Sequence, residues 1–314
     1  MIAFASNSLL CRAALKQTTI DPATFTFIRI FAGAVALWLI MQSRKRLIVA
    51  CRAVAPRRRE RTASPLVESF SKLSLVTGHS LATPKVAATT EGGSLSAGNW
   101  PSALALFVYA AAFSFAYINL SAGTGALLLF GAVQATMILW GLIQGERLLA
   151  IQVAGLITAI TGLVALLSPG LSAPPLVGSI LMLAAGVAWG IYSIRGRATS
   201  DAMSSTTGNF LHAVPLAAAV SVATLPWARL DSIGVIYALI SGAITSGVGY
   251  VIWYAALPGL KATGAATVQL SVPVLAAAGG IIFLSEPITL RYVLASVAVL
   301  GGILLVIIEK RAAT

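Results

Sequence analysis

Apolar residues in this chain come in long runs set off by glycine, proline and clusters of charge. Ten such runs can be marked, at about residues 1–15, 24–42, 101–119, 122–143, 149–168, 176–195, 207–225, 233–255, 263–284 and 289–308. All but the first approach the roughly 20 residues that a helix needs to cross a bilayer core. The connections at 120–121 and 169–175 are short, which makes the helices they join antiparallel neighbours. The pattern predicts an all-α, polytopic membrane protein with ten transmembrane helices.

Composition agrees. Hydrophobic residues make up 58% of the chain and charged residues 10%, with a mean hydropathy of +0.92; an ordinary globular chain has about a quarter of its residues charged. That much apolar surface requires lipid as solvent. The first run, from Met1 to Ala14, has no basic residues ahead of it and no small-residue cleavage site after it, so it reads as a short first membrane helix, not a leader.

Charge is unevenly placed. The net charge is +12, and ten of the 21 Lys and Arg lie between Ser43 and Asn99. A basic segment flanking membrane helices fixes orientation or meets anionic lipid, and nucleic acid is not an expected partner. With both termini cytoplasmic, the inner side collects sixteen basic residues and the outer side four. That is the expected orientation, in the inner (plasma) membrane. Segment 44–99 is rich in Pro, Ser, Thr and Arg with little periodicity, which predicts a disordered cytoplasmic loop with room for a short surface helix at 66–75.

The two halves of the chain resemble each other. Tyr117-Ile-Asn-Leu120 answers Tyr254-Ala-Ala-Leu257, Thr124-Gly125-Ala126 answers Thr263-Gly264-Ala265, and Gly145-Glu146-Arg147 answers Ser285-Glu286-Pro287, at offsets drifting from 137 to 140. Upstream the offset is 183, pairing Arg12 with Arg195, Thr24 with Thr207, Phe27 with Phe210 and Arg29 with His212. The difference of 43 residues is an insertion within the basic loop. The parts are then residues 1–43 (helices one and two), the loop 44–99, residues 100–168 (helices three to five) and the second repeat, 176–314. Five spans per repeat is an odd number, so the second repeat is inverted, a recurrent transporter architecture. Glu146 and Glu286 then face opposite sides.

Asn7 and Arg12, Phe25-x-x-x-Arg29, Gly145-Glu146, Ser285-Glu286 and Ala188-Trp189-Gly190-x-Tyr192 resemble, in order and spacing, the EamA-like family of the drug/metabolite transporter superfamily. The resemblance covers the chain apart from residues 44–99. It implies ten helices, cytoplasmic termini and export of amino acids or other small metabolites. The long loop and the short first helix depart from the family, the latter as a start codon placed too late would leave it.

Polar and aromatic groups at membrane depth are the candidate site. Trp189 and Tyr192 share a face of helix six with Ser193, as Tyr250, Trp253 and Tyr254 do on helix eight. Phe113 and Tyr117 on helix three, Gln134 on helix four and Gln269 on helix nine complete an aromatic-walled cavity suited to a substrate with an apolar body and a polar head. Asn7, Tyr117, Gln134, Trp189, Tyr192, Tyr250 and Gln269 are the expected substrate contacts. The competing roles are interfacial belt for the aromatics and interhelical hydrogen bonding for the amides. Arg29, Glu146, His212 and Glu286 are expected to act in gating or structure. Pro273 is expected to hinge helix nine, while Gly186-x-x-x-Gly190 and Gly141-x-x-x-Gly145 allow close helix approach.

An enzyme would need a nucleophile–base pair or a metal set. The two histidines, His79 and His212, have no carboxylate at ligand spacing, so neither catalysis, metal nor cofactor is expected. A channel-like facilitator of the same fold, or an interaction protein acting through the basic loop, are the alternatives to a carrier.

Overall fold

Most helices in the computed structural model begin where the sequence supplies a side chain to their free amides. The structure describes residues 1–61, 98–145, 147–170, 173–196, 199, 201–256 and 268–309. After α1 (Ile2–Gln17), Asp21 accepts from the amides of Ala23 and Thr24 at 3.0 and 2.9 Å and starts α2 (Pro22–Arg61), with proline in the first position. Asn99 accepts from Ser102 at 3.0 Å to start α3 (Trp100–Ala116), and Ser121 caps α4 (Ala122–Ile143). The Gln152 side chain accepts from the Leu149 amide at 2.9 Å, at the head of α5 (Ala150–Leu167). After α6 (Leu176–Gly196), Asp201 caps α7 (Ala202–Ala223) and Asp231 caps α8. The latter is continuous over residues 232–256, as an α-helical Ser232–Ile240, a π-helical Ser241–Val248 and an α-helical Gly249–Ala256. Two helices close the chain, α9 (Ser271–Leu284) and α10 (Leu290–Glu309), the second opened by Thr289, which accepts from the Tyr292 amide at 3.1 Å.

The described residues thus hold ten helices. Six are long and apolar enough to cross a membrane, within Pro22–Leu47, Ala122–Ile143, Ala150–Leu167, Leu176–Gly196, Ser232–Trp253 and Leu290–Ile307, while α3 and α9 are apolar but shorter. Leu139, Ile157, Val164, Ile282, Leu294 and Val297 are each more than half exposed, which lipid accommodates and water would not.

Two boundaries differ from the sequence expectation, and a third is described only in part. Helix α2 continues to Arg61, so residues 44–61 are helical where a disordered loop was expected; Ala, Arg and Leu are good helix formers even when charged residues end the apolar run. The remainder of the basic loop, with its surface helix at 66–75, lies outside the described residues. Helix α7 starts earlier, at Ala202, because its first turns are rich in Ser, Thr and Asn, which a hydropathy window passes over although they are buried. Residues 263–267, the expected start of α9, lie outside the described residues; helical residues 268–269 are separated from α9 by a turn at Leu270, three positions ahead of Pro273, whose missing amide proton cannot bond back into that turn. A further irregularity is the π-helical segment of α8.

The chain forms two compact units, one of Met1–Trp38 together with Leu95–Thr314 and the other of Leu39–Ser94. In the first, α5 lies along α10, α3 and α4 along α6, α4 against α9, and α1 between α8 and α9. Small residues set these distances. A Cβ on Gly155 would stand 2.6 Å from the Gly302 carbonyl oxygen, so α5 and α10 touch backbone to backbone, and buried Gln152 adds a bond from Nε2 to the Val306 carbonyl at 3.1 Å. Gly186 and Gly190 pack against Leu129 and Thr136 of α4, as their spacing predicts. Gly145 does not pack: it adopts φ +88° just past α4, a helix-ending conformation that favours glycine. In the second unit, Ser43 returns its hydroxyl to the Leu39 carbonyl at 2.9 Å.

The turn after α1 is tied to a distant loop. Asp21 Oδ2 accepts from the Arg229 amide at 3.0 Å, and the Asp21 amide donates to the Arg229 carbonyl at 3.2 Å. Burial alone would raise the Asp21 carboxyl, but hydrogen bonds from Thr24, Arg229 and Ala23 outweigh it and hold the group below the ordinary aspartate value.

Candidate functional site

Asn7 is the hub of a buried polar cluster. Its carbonyl oxygen accepts from Ser241 at 2.5 Å and from Thr245 at 3.4 Å, both on α8, and its amide nitrogen donates to the Tyr109 hydroxyl of α3 at 3.4 Å. The π-helical stretch carries Ser241 and Thr245 together, and Thr245 also donates to the Ser241 carbonyl at 2.7 Å. Arg29 of α2 reaches the same hydroxyl, Nη2 to Tyr109 at 3.0 Å, with its guanidinium carbon 5.4 Å from the Tyr109 ring centre and 4.9 Å from that of Phe113. Asn7 and Arg29 are 5% and 3% exposed, so these contacts are made out of water.

Aromatic rings wall the cluster. Trp189 lies 4.8 Å from Tyr109, stacks on Tyr192 at 5.4 Å and meets Tyr250 edge-on at 5.5 Å. Phe4 stands 5.8 Å from Tyr250 and 6.2 Å from Trp253, and Phe210 stands 5.8 Å from Tyr250. Side chains of α1, α2, α3, α6, α7 and α8 therefore meet in one close-packed chamber whose rings touch one another, and Asn7, Trp189, Tyr192 and Tyr250 from the expected set converge there.

Other expected residues lie elsewhere. Tyr117 is wholly buried and packs edge-on against Phe113 at 4.7 Å, but its hydroxyl donates to the Ala122 carbonyl at 3.2 Å, within the α3–α4 turn. Gln134 is 4% exposed, and its Nε2 has no hydrogen-bond partner among the described residues. Gln269 is half-buried just ahead of α9, and no hydrogen bond among the described residues joins either glutamine to Asn7. His212 is half-buried, with Nδ1 2.7 Å from the Gly208 carbonyl and its ring 4.8 Å from Trp100. Glu146 lies outside the described residues. Tyr254 does so in its side chain.

Toward the α3–α4 turn, the chamber gives way to an ion pair. Glu286 accepts from Arg12 Nε at 3.0 Å through one oxygen and from the Ala122 amide, the first of α4, at 2.8 Å through the other. Arg12 Nη1 donates to the Tyr117 and Ile118 carbonyls at 2.9 and 2.8 Å, and Lys16 to the Leu284 carbonyl at 3.2 Å. Glu286 thus meets an unpaired helix N-terminus and Arg12 the end of α3, each with the favourable sign for a helix dipole. Beside this clasp lies a cavity of about 200 Å³, lined among others by Ser121, Thr124, Glu286 and Tyr292. Arg195, the repeat counterpart of Arg12, bonds at the head of α3, to Ser102 at 3.0 Å and Asn99 at 3.2 Å.

Sequence reasoning passed over Tyr109, Phe4, Ser241 and Thr245 as site members. The signals existed: Tyr109 stands at i−4 from Phe113 and i−8 from Tyr117, on one helical face, and Ser241 and Thr245 form an i, i+4 polar pair in an apolar helix. No three His, Cys, Asp or Glu side chains converge among the described residues.

Comparison with known proteins agrees with this geometry. A family model described as the EamA-like transporter family matches residues 176–308. An uncharacterized protein of Pseudomonas aeruginosa is 47% identical over 310 residues, 99% of this chain and 92% of its own length. An uncharacterized transporter of Archaeoglobus fulgidus is 30% identical over 227 residues, 67% of this chain and 78% of its own. A solved structure, described only as the crystal structure of a protein, shares the fold with a TM-score of 0.61 at 15% identity, covering 99% of this chain and 95% of that one. The polytopic chain with its buried polar chamber belongs to the EamA-like transporter family, among the drug/metabolite transporters.

Proposed function

We propose that this transporter moves a small amphiphilic metabolite, an amino acid or a related compound, out of the cytoplasm across the inner membrane by alternating access. Its ten helices act as two inverted five-helix repeats, with both termini cytoplasmic. The observation that carries the reading is the buried chamber around Asn7, built by α1, α2 and α3 from one half and α6, α7 and α8 from the other, with the Arg12–Glu286 clasp at one end. The packing supports the inverted relation: α1 lies on α8 as its counterpart α6 lies on α3, while α5 pairs with α10 and α4 with α9. In the proposed orientation the clasp faces outward, so this conformation is closed to the outside.

Within that reading, Asn7, Trp189, Tyr192 and Tyr250 contact the solute. Gln134 and Gln269 line its path, and Arg29, Glu146, His212, Pro273 and Glu286 serve structure or gating. The basic segment 44–99 is assigned to anionic lipid.

Export is tested first by a screen for metabolite resistance on overexpression, then by counterflow in proteoliposomes with the solute it identifies. Trans-stimulated exchange supports a carrier. Flux without trans-stimulation supports a channel-like facilitator, and transport retained after deletion of residues 62–97 disposes of the interaction reading. Cysteines at 134 and 269 should react with small aqueous reagents and be protected by solute; inert thiols at both positions would remove them from the pathway.

A further inference from the structure

Three arginines near helix ends, among the described residues, have their guanidinium groups occupied by oxygen atoms of the protein. Arg12 engages Glu286 and two carbonyls, Arg195 engages Ser102 and Asn99, and Arg291 donates to the Ala165 and Ser168 carbonyls at the end of α5. Arg29 is different. It is 3% exposed, donates Nη2 to a neutral tyrosine hydroxyl, and leaves Nη1 buried with no hydrogen-bond partner among the described residues. Among the described residues no carboxylate lies within ion-pair distance of it. The ring faces of Phe113 and Tyr109 ease the cation electrostatically but supply no countercharge.

A guanidinium cannot shed its proton to escape burial, so an unneutralised Arg at membrane depth is held at a cost that a purely structural position would remove with Gln or Met. The cost becomes useful when an anion completes the site. We infer that Arg29 is the anchor for the carboxylate of a singly charged organic anion, which is the solute that the chamber takes. The free Nη1 meets one carboxylate oxygen, and the Asn7 amide and Tyr109 hydroxyl lie alongside to hold its orientation. The rings of Trp189, Tyr109 and Tyr250 touch one another at 4.8 to 5.5 Å in this conformation, so a planar or apolar body takes its place among them as they part.

One fixed positive charge matches one negative charge. A dianion would leave the chamber net negative. A cation would double the buried positive charge, and among the described residues the cluster offers no carboxylate to receive an ammonium. Arg29 is also placed to respond to conformational change, because Gly242 in the π-helical part of α8 packs directly on the Arg29 carbonyl and on Ala32. A shift of α8 along α2 therefore bears on the segment that carries the anchor.

This inference rests on the transporter reading and narrows its solute to carboxylates without an ammonium group, which leaves zwitterionic amino acids outside the class. The test uses purified full-length protein in lipid nanodiscs and three probes of one shape and different charge: benzoate, benzamide and benzylamine, each followed by melting-temperature shift and by equilibrium binding of the radiolabelled compound. Benzoate should bind at least tenfold more tightly than the other two. Arg29→Gln should abolish that preference, and Arg29→Lys should retain it with weaker affinity, since an ammonium lacks the fork that guanidinium offers a carboxylate. The wild-type charge ranking stands even if a variant folds poorly. No preference among the three probes, absence of binding included, overturns the anion assignment, as does an unchanged preference in a folded Arg29→Gln protein. Preferential binding of benzamide or benzylamine that Asn7→Ala removes also overturns it, while leaving the chamber and the transporter reading in place.

Discussion

Glu286 holds Arg12 at 3.0 Å from 274 positions away in the chain, and the same carboxylate caps the first amide of α4. One side chain therefore joins α1, the α3–α4 turn and the α9–α10 junction. The pair is largely shielded, with side chains 12% and 7% exposed, so removing one partner strands a charge that water cannot solvate.

Replacing Glu286 separates its two roles. Glu286→Gln keeps an acceptor for the Ala122 amide and loses only the charge, whereas Glu286→Ala loses both. The expected destabilisation is about 3–5 kcal/mol for Glu286→Ala, the range for breaking a shielded pair, and clearly less for Glu286→Gln. Arg12 keeps the Tyr117 and Ile118 carbonyls in either case. Thermal unfolding in detergent measures the ordering. Equal losses would mean that the amide cap contributes nothing beyond the ion pair.

Asn7→Ala leaves Ser241, Thr245 and Tyr109 without the partner they share. An unsatisfied buried polar group costs roughly 1–3 kcal/mol, and the two hydroxyls on α8 can partly turn to backbone carbonyls as Thr245 already does, so the lower part of that range is expected. Transport should fall by an order of magnitude or more, since the hub orients both Tyr109 and the π-helical segment. Initial-rate counterflow, normalised to folded protein, checks this. Full activity with normal stability would remove Asn7 from the site.

Much of this arrangement was legible in the sequence, and the reason is the bilayer. A helix must be apolar wherever it faces lipid, so ten apolar runs mark the ten helices, and rare polar residues such as Asn7 and Arg29 stand out. What stayed hidden depends on three-dimensional neighbours. Tyr109 in α3 reads as one more apolar-face aromatic until Arg29 and Asn7 arrive from other helices. The π-helical turn leaves no mark, because Ser241–Val248 is as compatible with ordinary α-helix. Tyr117 stood out for the opposite reason: its repeat position is prominent, and the structure adds that its hydroxyl closes a turn on Ala122. The continuation of α2 past its apolar run was missed because hydropathy reports solvent, not helicity.

Gln134 offers a variant in which stability and function should part. Its Nε2 is buried without a partner among the described residues, so Gln134→Leu removes an unsatisfied group at similar volume and should leave stability unchanged or raise it by about 1 kcal/mol. If the amide waits for solute, counterflow should drop in the same protein. A destabilised Gln134→Leu would instead show that the amide is satisfied within the membrane.

Asp21 sets a pH dependence of known sign. Its carboxylate accepts from Ala23, Thr24 and Arg229, which holds the folded group below the ordinary aspartate value despite the opposing effect of burial. A depressed folded value means that the stabilisation is fully present above the unfolded value, about 3.9, and is lost as pH falls through the folded one. The carboxylate is partly exposed, so the effect is modest and best read by difference. Asp21→Asn keeps one acceptor oxygen but cannot serve the helix start and Arg229 together. Wild-type protein should therefore melt above Asp21→Asn at pH 6 to 7, with the gap closing at roughly pH 4 and below. A gap that persists unchanged at acid pH would assign the effect to shape alone and remove the charged bridge between the α1–α2 turn and the loop at Arg229.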